Sequence, residues 1–201
     1  MPTRAVVLTT PSTHARLDAF LAGWRRWTGD APIEVVEGIE VPRAPWQGAF
    51  LAHVGALLAA GPRELAVFED GAVLAAGFDL DVRPPRAWDL AYLGHELRAP
   101  LAEAVEGSPW VVPTEVARTH GYVVRNAEAV GRQLSRRGGE HVDYALSRLP
   151  LRRFALVPAT VGQAAGVLDP STGRELAEDA FWHDSPWLPA AADDDESALD
   201  S

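Results

Sequence analysis

The chain has 201 residues, 47% of them hydrophobic, and carries a formal net charge of −10 at pH 7. This length suffices for one domain with a full hydrophobic core, and a negative chain without an evident basic face argues against nucleic-acid binding. There is no cysteine and all 18 basic residues are arginines, which excludes disulfides, thiolate metal ligands and a Schiff-base lysine. No apolar run has the length of a membrane-spanning helix, and the N-terminus does not resemble a signal peptide. We therefore expect a cytoplasmic protein without a transmembrane segment.

The first third of the chain alternates between predicted strands and helices. An unbroken apolar run predicts a first strand that is buried on both faces, and apolar residues at helical spacing predict a helix after it. The predicted elements are strands at residues 5–9, 32–37 and 65–68, a helix from Thr13 to Gly29, and a helix at residues 48–58. This β-α-β-α-β order predicts an α/β fold, a single-domain Rossmann-like, mainly parallel sheet flanked by helices.

The second half of the chain continues this pattern less regularly. Its predicted elements are strands at residues 88–93, 121–125 and 153–157 and helices at residues 127–136 and 141–149, the first of them capped by Asn126. Residues 97–113 contain prolines and glycines and predict a loop that can cover a site. Residues 189–201 are mostly alanine and acidic, which predicts a disordered tail after one domain at residues 1–188.

Two adjacent acids, Glu69 and Asp70, end the third predicted strand. In open α/β sheets the carboxyl ends of the strands open into the ligand crevice. Hard carboxylate oxygens at that place can hold Mn²⁺ or Mg²⁺ against the phosphates of a substrate. The alternative interpretation is a solvated strand end followed by a turn at Gly71.

Polar residues beside the first and last predicted strands are further candidates. Thr9 and Thr10 can contact a nucleoside or cap the following helix. Arg16, one turn into that helix, can reach a diphosphate oxygen or lie exposed to solvent. Gln163 can form a hydrogen bond with a bound substrate or satisfy the loop backbone around it.

Two residues are candidates for proton transfer. His53 lies among apolar neighbours on the second helix, where a core histidine bonded to the backbone is the default interpretation. Asp143 lies just after Gly138 and Gly139, and it is either a general base for an acceptor hydroxyl or an acid that begins a short helix.

Several of these residues belong to short motifs that occur in a fixed order. The strand at residues 6–9 precedes Arg16, Gly48 and His53 frame a helix start, and Glu69 and Asp70 follow the third strand. Later motifs are Thr119, residues 121–124, Ala127, Asp143, Pro158 and Gln163. This order resembles glycosyltransferase family 25, which includes bacterial lipopolysaccharide glycosyltransferases and collagen galactosyltransferases.

The resemblance implies a GT-A type fold and the transfer of a sugar from a UDP-sugar to an acceptor hydroxyl with inversion. It also implies roles for the candidate residues. His53 and Asp143 would be catalytic, Glu69 and Asp70 would hold Mn²⁺ or Mg²⁺, and the donor would contact Thr9, Thr10, Arg16 and Gln163. The acceptor class stays open between a saccharide, a peptide and a small molecule.

The chain also departs from the family pattern in ways that support a second hypothesis. Gly71 replaces the last aspartate of the family's acidic motif, and Ala49 and Ala52 replace polar residues. The alternative is therefore a catalytically inactive relative that binds a nucleotide sugar or a partner protein. Another Rossmann-like nucleotide-binding enzyme is a third hypothesis, although the chain has no G-x-G-x-x-G motif and no P-loop.

Overall fold

The computed structural model describes residues 4–97 and 103–164. Its N-terminal part has the predicted β-α-β-α-β order. A 3₁₀ turn at Pro11–Thr13 leads into the first helix, and Gly29, with φ of 65°, ends that helix. The elements are β1 (Arg4–Thr9), α1 (His14–Thr28), β2 (Ile33–Glu37), α2 (Pro45–Ala60) and β3 (Leu65–Glu69).

The rest of the described chain contains more strands than the sequence predicts. Its elements are β4 (Ala72–Leu74), β5 (Leu90–Leu97), β6 (Glu103–Ala104), β7 (Trp110–Val112), β8 (Val116–Val124), α3 (Ala127–Leu134), α4 (Val142–Ser147), β9 (Arg153–Leu156) and β10 (Val161–Gln163). Asn126 caps α3 as predicted, because its side-chain oxygen accepts the N–H of Ala129 at 3.0 Å. The additional strands β4, β6, β7 and β10 have two or three residues each, too few for an alternating pattern.

Eight strands form one mixed sheet in the order β2-β1-β3-β8-β5-β9-β7-β6. β1 is parallel to β2 and β3, and β5 is parallel to β9, so the mainly parallel sheet predicted from the sequence is found in part. β8 lies between β3 and β5 and is antiparallel to both. A parallel neighbour needs a long crossover, usually helical, and the described residues between β3 and β8 contain no helix.

Helices cover both faces of this sheet. On one face α2, α3 and α4 pack against the strands, and Leu57, Leu134 and Leu146 are fully buried there. On the other face α1 packs against the sheet, with the rings of Trp24 and Phe68 at 5.5 Å between centroids. Burial on both faces explains why β1 and β3 are unbroken apolar runs instead of alternating ones.

The short strand β10 crosses the large sheet and pairs with β4. It lies so close to β5 and β8 that a Cβ atom added at Gly94 would be 2.6 Å from the carbonyl oxygen of Val161, and one at Gly121 would be 3.1 Å from a Val161 methyl carbon. Gln163 then lies opposite Ala72, just after β3. The crossing therefore brings Gln163, far away in sequence, to the carboxyl edge of β3.

None of the helices in residues 4–97 and 103–164 combines the length and the apolar composition that crossing a bilayer requires. The loop predicted at residues 97–113 contains β6 and β7, and its residues 98–102 lie outside the described part. The predicted tail at residues 189–201, and with it the boundary of a domain at residues 1–188, also lies outside the described residues.

Candidate active site

A cleft with a cavity of about 250 Å³ opens at the carboxyl edge of β1 and β3. The residues that follow parallel strands converge at one edge of a sheet, and the first turns of α2 and the end of β10 complete the walls. Seven of the eight predicted site residues line it: Thr9, Thr10, Arg16, His53, Glu69, Asp70 and Gln163. The fold therefore brings these seven predicted residues together in one cleft.

Asp70 joins the turn after β1 to the end of β3. Its Oδ2 accepts hydrogen bonds from the hydroxyls of Thr9, at 2.8 Å, and of Thr13. Its N–H donates to the carbonyl oxygen of Leu8 at 3.0 Å, and the N–H of Thr10 donates to Thr13 Oγ1 at 3.1 Å. These bonds give one rim of the cleft a fixed shape.

Glu69 is held from the opposite side, by the core. Its Oε1 lies 3.3 Å from Nε2 of His53, and Nδ1 of the same ring lies 2.8 Å from the hydroxyl of Tyr122. His53 is 1% exposed and Tyr122 is fully buried, whereas the Glu69 side chain is 33% exposed. Burial, together with the negative charge of Glu69, raises the pKa of Tyr122 well above its ordinary value. The three side chains form a continuous path of hydrogen bonds from the core to the cleft.

Positive charge reaches the cleft from two directions. The Arg16 guanidinium comes from α1, and the first turns of α2 contribute Trp46 and Gly48 to the wall. The first turn of α2 has no acidic residue, and Ala44 gives it no side-chain cap. Its backbone N–H groups therefore present the partial positive charge of a helix N-terminus.

Gln163 brings an unsatisfied acceptor to the cleft wall. The residue is 5% exposed, and within the described residues its Oε1 accepts no hydrogen bond. A buried amide oxygen without a donor is unfavourable by about 1–3 kcal/mol. Because this oxygen is enclosed by protein, a ligand in the cleft would reach it only after the amide turned towards the cavity.

Three polar or aromatic residues of the cleft and its support are not among the predicted site residues: Thr13, Trp46 and Tyr122. The Trp46 ring lines the cleft and stacks on His141, with 5.2 Å between centroids and 20° between planes. Tyr122 carries the one hydroxyl of the strand predicted at residues 121–125, and that hydroxyl is the signal that identifies it as a partner for a buried histidine. The sequence contains no signal for the stacking of Trp46, because its partner belongs to a distant loop.

Asp143 does not line the cleft. Its Oδ2 accepts the N–H of Arg118 at 3.0 Å, and its Oδ1 accepts the N–H of Tyr144 at 2.8 Å. These contacts match the alternative interpretation, an acid in the first turn of a short helix, and they also support Arg118 at its φ of 55°. Asp143 is nevertheless close in sequence to a residue at the rim of the cleft, because His141 stacks on Trp46.

Two buried histidines lie on β5 and β8 and are not among the residues that line the cleft. Burial lowers the pKa of His95 to about 4 and the pKa of His120 to about 3. His95 also forms a hydrogen bond from its Nε2 to the carbonyl oxygen of Leu156 at 2.9 Å. Both rings are therefore uncharged near neutral pH.

The oxygen atoms of the cleft fit a hard divalent cation that is shared with a substrate. Glu69 and Asp70 supply two adjacent carboxylates, and Mg²⁺ is typically held by one or two carboxylates together with phosphate oxygens and water. In residues 4–97 and 103–164, no group of three or more His, Cys, Asp or Glu side chains forms a ligand set. The remaining ligands of such a cation would come from the substrate and from solvent.

No family model and no curated protein matches this chain. Among solved structures, A197 from STIV aligns with a TM-score of 0.49 and 13% identity, over 85% of this chain and 87% of that one. The nucleoside-diphosphate-sugar pyrophosphorylase from Vibrio cholerae RC9 aligns with a TM-score of 0.43 and 12% identity, over 83% of this chain and 78% of that one. Neither TM-score is high enough to carry an argument, so function must be inferred from the cleft itself.

Proposed function

We propose that this chain is a glycosyltransferase of the family 25 type, with a GT-A fold, that transfers a sugar from a UDP-sugar to an acceptor hydroxyl with inversion. The observation that carries the proposal is the convergence of Thr9, Arg16, Glu69, Asp70 and Gln163 on one cleft at the carboxyl edge of β1 and β3. Such an edge is where open α/β sheets bind nucleotides.

The charges of the cleft favour a phosphorylated ligand that arrives with a cation. Glu69 and Asp70 place two carboxylates in the wall, whereas Arg16 is the one arginine that lines it among the described residues. An anionic diphosphate is repelled by two carboxylates unless a cation lies between them. Mn²⁺ or Mg²⁺ bound there would stabilise the negative charge that develops on the departing nucleoside diphosphate.

The remaining contacts divide between the parts of the donor. Arg16 and the N-terminal turn of α2 would bind phosphate oxygens, as helix N-termini do. Thr9 and Thr10 would contact the nucleoside. Gln163, which lines the cleft, would form a hydrogen bond with a hydroxyl of the sugar through its amide group.

Inversion requires a base that takes the proton of the acceptor hydroxyl on the side opposite the leaving group. We retain Asp143 as the proposed base because it follows His141, which stacks on Trp46 at the rim of the cleft. An acceptor bound across Trp46 would approach α4 at that point. The acceptor would be a saccharide, a peptide or a small molecule.

UDP release and sugar transfer should be measured with a panel of UDP-sugars, with and without Mn²⁺. We expect turnover with Mn²⁺ and a loss of about 100-fold or more in Glu69→Gln, because one group that stabilises the leaving charge is removed. The matched control is Glu103→Gln, an exposed glutamate on β6 that is not among the lining residues. A wild-type protein that neither turns over nor binds any donor would refute the proposal.

A second candidate function is binding of a nucleotide sugar without catalysis. It is favoured by the state of the two proposed proton-transfer groups. Both ring nitrogens of His53 contact protein groups, and both carboxylate oxygens of Asp143 accept backbone N–H groups. This function predicts donor binding without UDP release, and any turnover that Glu69→Gln abolishes would exclude it.

A further inference from the structure

We infer that Tyr122 is a positioning residue. Through His53 it orients the carboxylate of Glu69, which is the carboxylate that binds the cation in the cleft. The inference rests on the proposed function only in assuming that the cleft takes a cation with a nucleoside diphosphate. Tyr122 belongs to β8, the strand that enters the sheet in the opposite direction, and it does not itself line the cleft. Its influence on a ligand must therefore pass through the imidazole.

The chemistry of the three groups gives this path a direction. A carboxylate can only accept hydrogen bonds, so Nε2 of His53 must carry the hydrogen that lies towards Glu69. In an uncharged ring Nδ1 then has a lone pair, which accepts the hydroxyl hydrogen of Tyr122. The near-parallel rings of His53 and Tyr122, 15° apart, maintain this contact inside the core. The hydrogen bonds run in one direction, from the phenol to the carboxylate.

Glu69 and Asp70 then have different tasks. Oδ2 of Asp70 is occupied by two threonine hydroxyls and shapes the turn after β1. Glu69 contacts His53 through Oε1, its side chain is 33% exposed, and the residue lines the cleft. The hydrogen bond therefore orients a carboxylate that is open to the cleft. Carboxylate ligands are held by outer hydrogen bonds in this way at metal sites.

Removing the phenol oxygen should release the imidazole. Without the donor from Tyr122, Nδ1 loses its hydrogen-bond partner, and the ring can turn so that its Nε2–H no longer points to Glu69. A ring that neither partner orients populates both tautomers. Loss of an outer partner of a metal ligand typically lowers metal affinity by about 10- to 100-fold. We expect Tyr122→Phe to bind Mn²⁺ with UDP about tenfold more weakly than the wild type, at the lower end of that range because the tyrosine acts at one remove.

The chain offers a matched control in Tyr92. It lies directly across from Tyr122 on β5 and is likewise fully buried. In the described residues its hydroxyl makes no hydrogen bond. Tyr92→Phe therefore deletes the same atom at the same depth without breaking a contact, and we expect wild-type affinity for Mn²⁺ with UDP. Equal losses in the two variants would show a general effect on packing and would overturn the inference.

Nitrogen-15 NMR of the histidine side chains tests the path without any ligand. We expect the Nε2–H tautomer for His53, assigned by the loss of its signals in His53→Gln, and a shift towards mixed tautomers in Tyr122→Phe. Finding the Nδ1–H tautomer in the wild type would overturn the inference. So would a Tyr122→Phe variant that keeps both the tautomer and the affinity of the wild type.

Substitutions of His53 separate positioning from simple packing. His53→Gln keeps an N–H donor near the place of Nε2, whereas His53→Leu fills the site without one. We expect the glutamine variant to bind Mn²⁺ with UDP more tightly than the leucine variant, and equal affinities would count against the role. If the wild type binds no Mn²⁺ with UDP, the proposed function fails, while the tautomer measurement still decides the role of Tyr122.

Discussion

The two parts of the described chain, residues 4–70 and residues 71–164, build the cleft in different ways. In the first part, three parallel strands alternate with two helices along the chain, and this part supplies most of the cleft wall. The second part inserts β8 beside β3 and carries β10 across the sheet. It contributes few residues to the wall, but it supplies Gln163 and the buried support of Glu69. The cleft wall is thus formed mainly by elements that follow one another in the sequence. The contacts that support it come from strands that pair with partners far away in the sequence.

The strongest test of this comparison is the contact between β10 and β5. A Cβ atom at Gly94 would lie 2.6 Å from the carbonyl oxygen of Val161, and this oxygen belongs to backbone that cannot rotate away. We predict that Gly94→Ala destabilises the protein by about 1–3 kcal/mol, as overpacking of a buried contact does. We also predict weaker UDP binding, because Gln163 moves with β10. Urea unfolding and calorimetric titration measure the two effects.

Gly23→Ala is the control in the first part of the chain. Gly23 lies inside α1, and a Cβ atom there would meet nothing within 4 Å. Alanine should therefore stabilise the helix by about 0.5–1 kcal/mol. If Gly94→Ala is as stable as the wild type and binds UDP normally, the crossing of β10 does not hold the cleft together.

The same difference between the two parts explains what the sequence could predict. The strand, turn and helix patterns before Asp70 are long enough to identify, and the carboxyl ends of parallel strands must meet. The position of six site residues, Thr9, Thr10, Arg16, His53, Glu69 and Asp70, follows from this. β10 has three residues, so no sequence pattern identifies it as a strand. Only the resemblance to the glycosyltransferase family connects Gln163 with the site. The antiparallel direction of β8 depends on the connection from β3, in which no helix signals a crossover.

Asp143 shows the opposite limit. An acid near the start of a short helix can act as a base or cap the helix, and the local sequence is the same in both cases. In the structure the carboxylate accepts the N–H of Tyr144, in the first turn of the helix, and the N–H of Arg118, on the neighbouring strand β8. Only the position of a bound acceptor distinguishes the roles, and that position depends on contacts beyond the helix itself.

Arg16 tests the contribution of the first part to the binding of phosphate. We predict that Arg16→Ala lowers the affinity for UDP by about tenfold, the value of one charge-assisted hydrogen bond. Arg25→Ala on the same helix removes the same charge from a position that is not among the lining residues. It should change the affinity little at physiological salt, because distant charges are screened. Equal effects would mean that the net charge of the chain matters, and not the position of Arg16.

The smallest predicted effect concerns the ion pair between Asp89 and Arg152, which joins the starts of β5 and β9. Arg152 binds both carboxylate oxygens, at 2.7 and 2.9 Å, and lowers the pKa of Asp89. A lowered pKa means that the contribution to stability is present above the pKa of the unfolded chain, about 3.9. It is lost as the pH falls through the lower value of the folded protein.

We therefore predict that Asp89→Asn lowers the melting temperature on the order of 1 °C at pH 7, because the pair is partly exposed. The difference from the wild type should shrink below about pH 4, where the carboxylate takes up a proton in the unfolded chain. Asp18→Asn, at an exposed position of α1, should show neither effect. If Asp89→Asn lowers the melting temperature equally at every pH, the stabilisation comes from a hydrogen bond and not from the ion pair. That bond is donated by the backbone N–H of Arg152 to Oδ2 of Asp89, at 2.9 Å. In that case the starts of β5 and β9 are joined by hydrogen bonding that needs no charge, as β10 is joined to β5 by close packing.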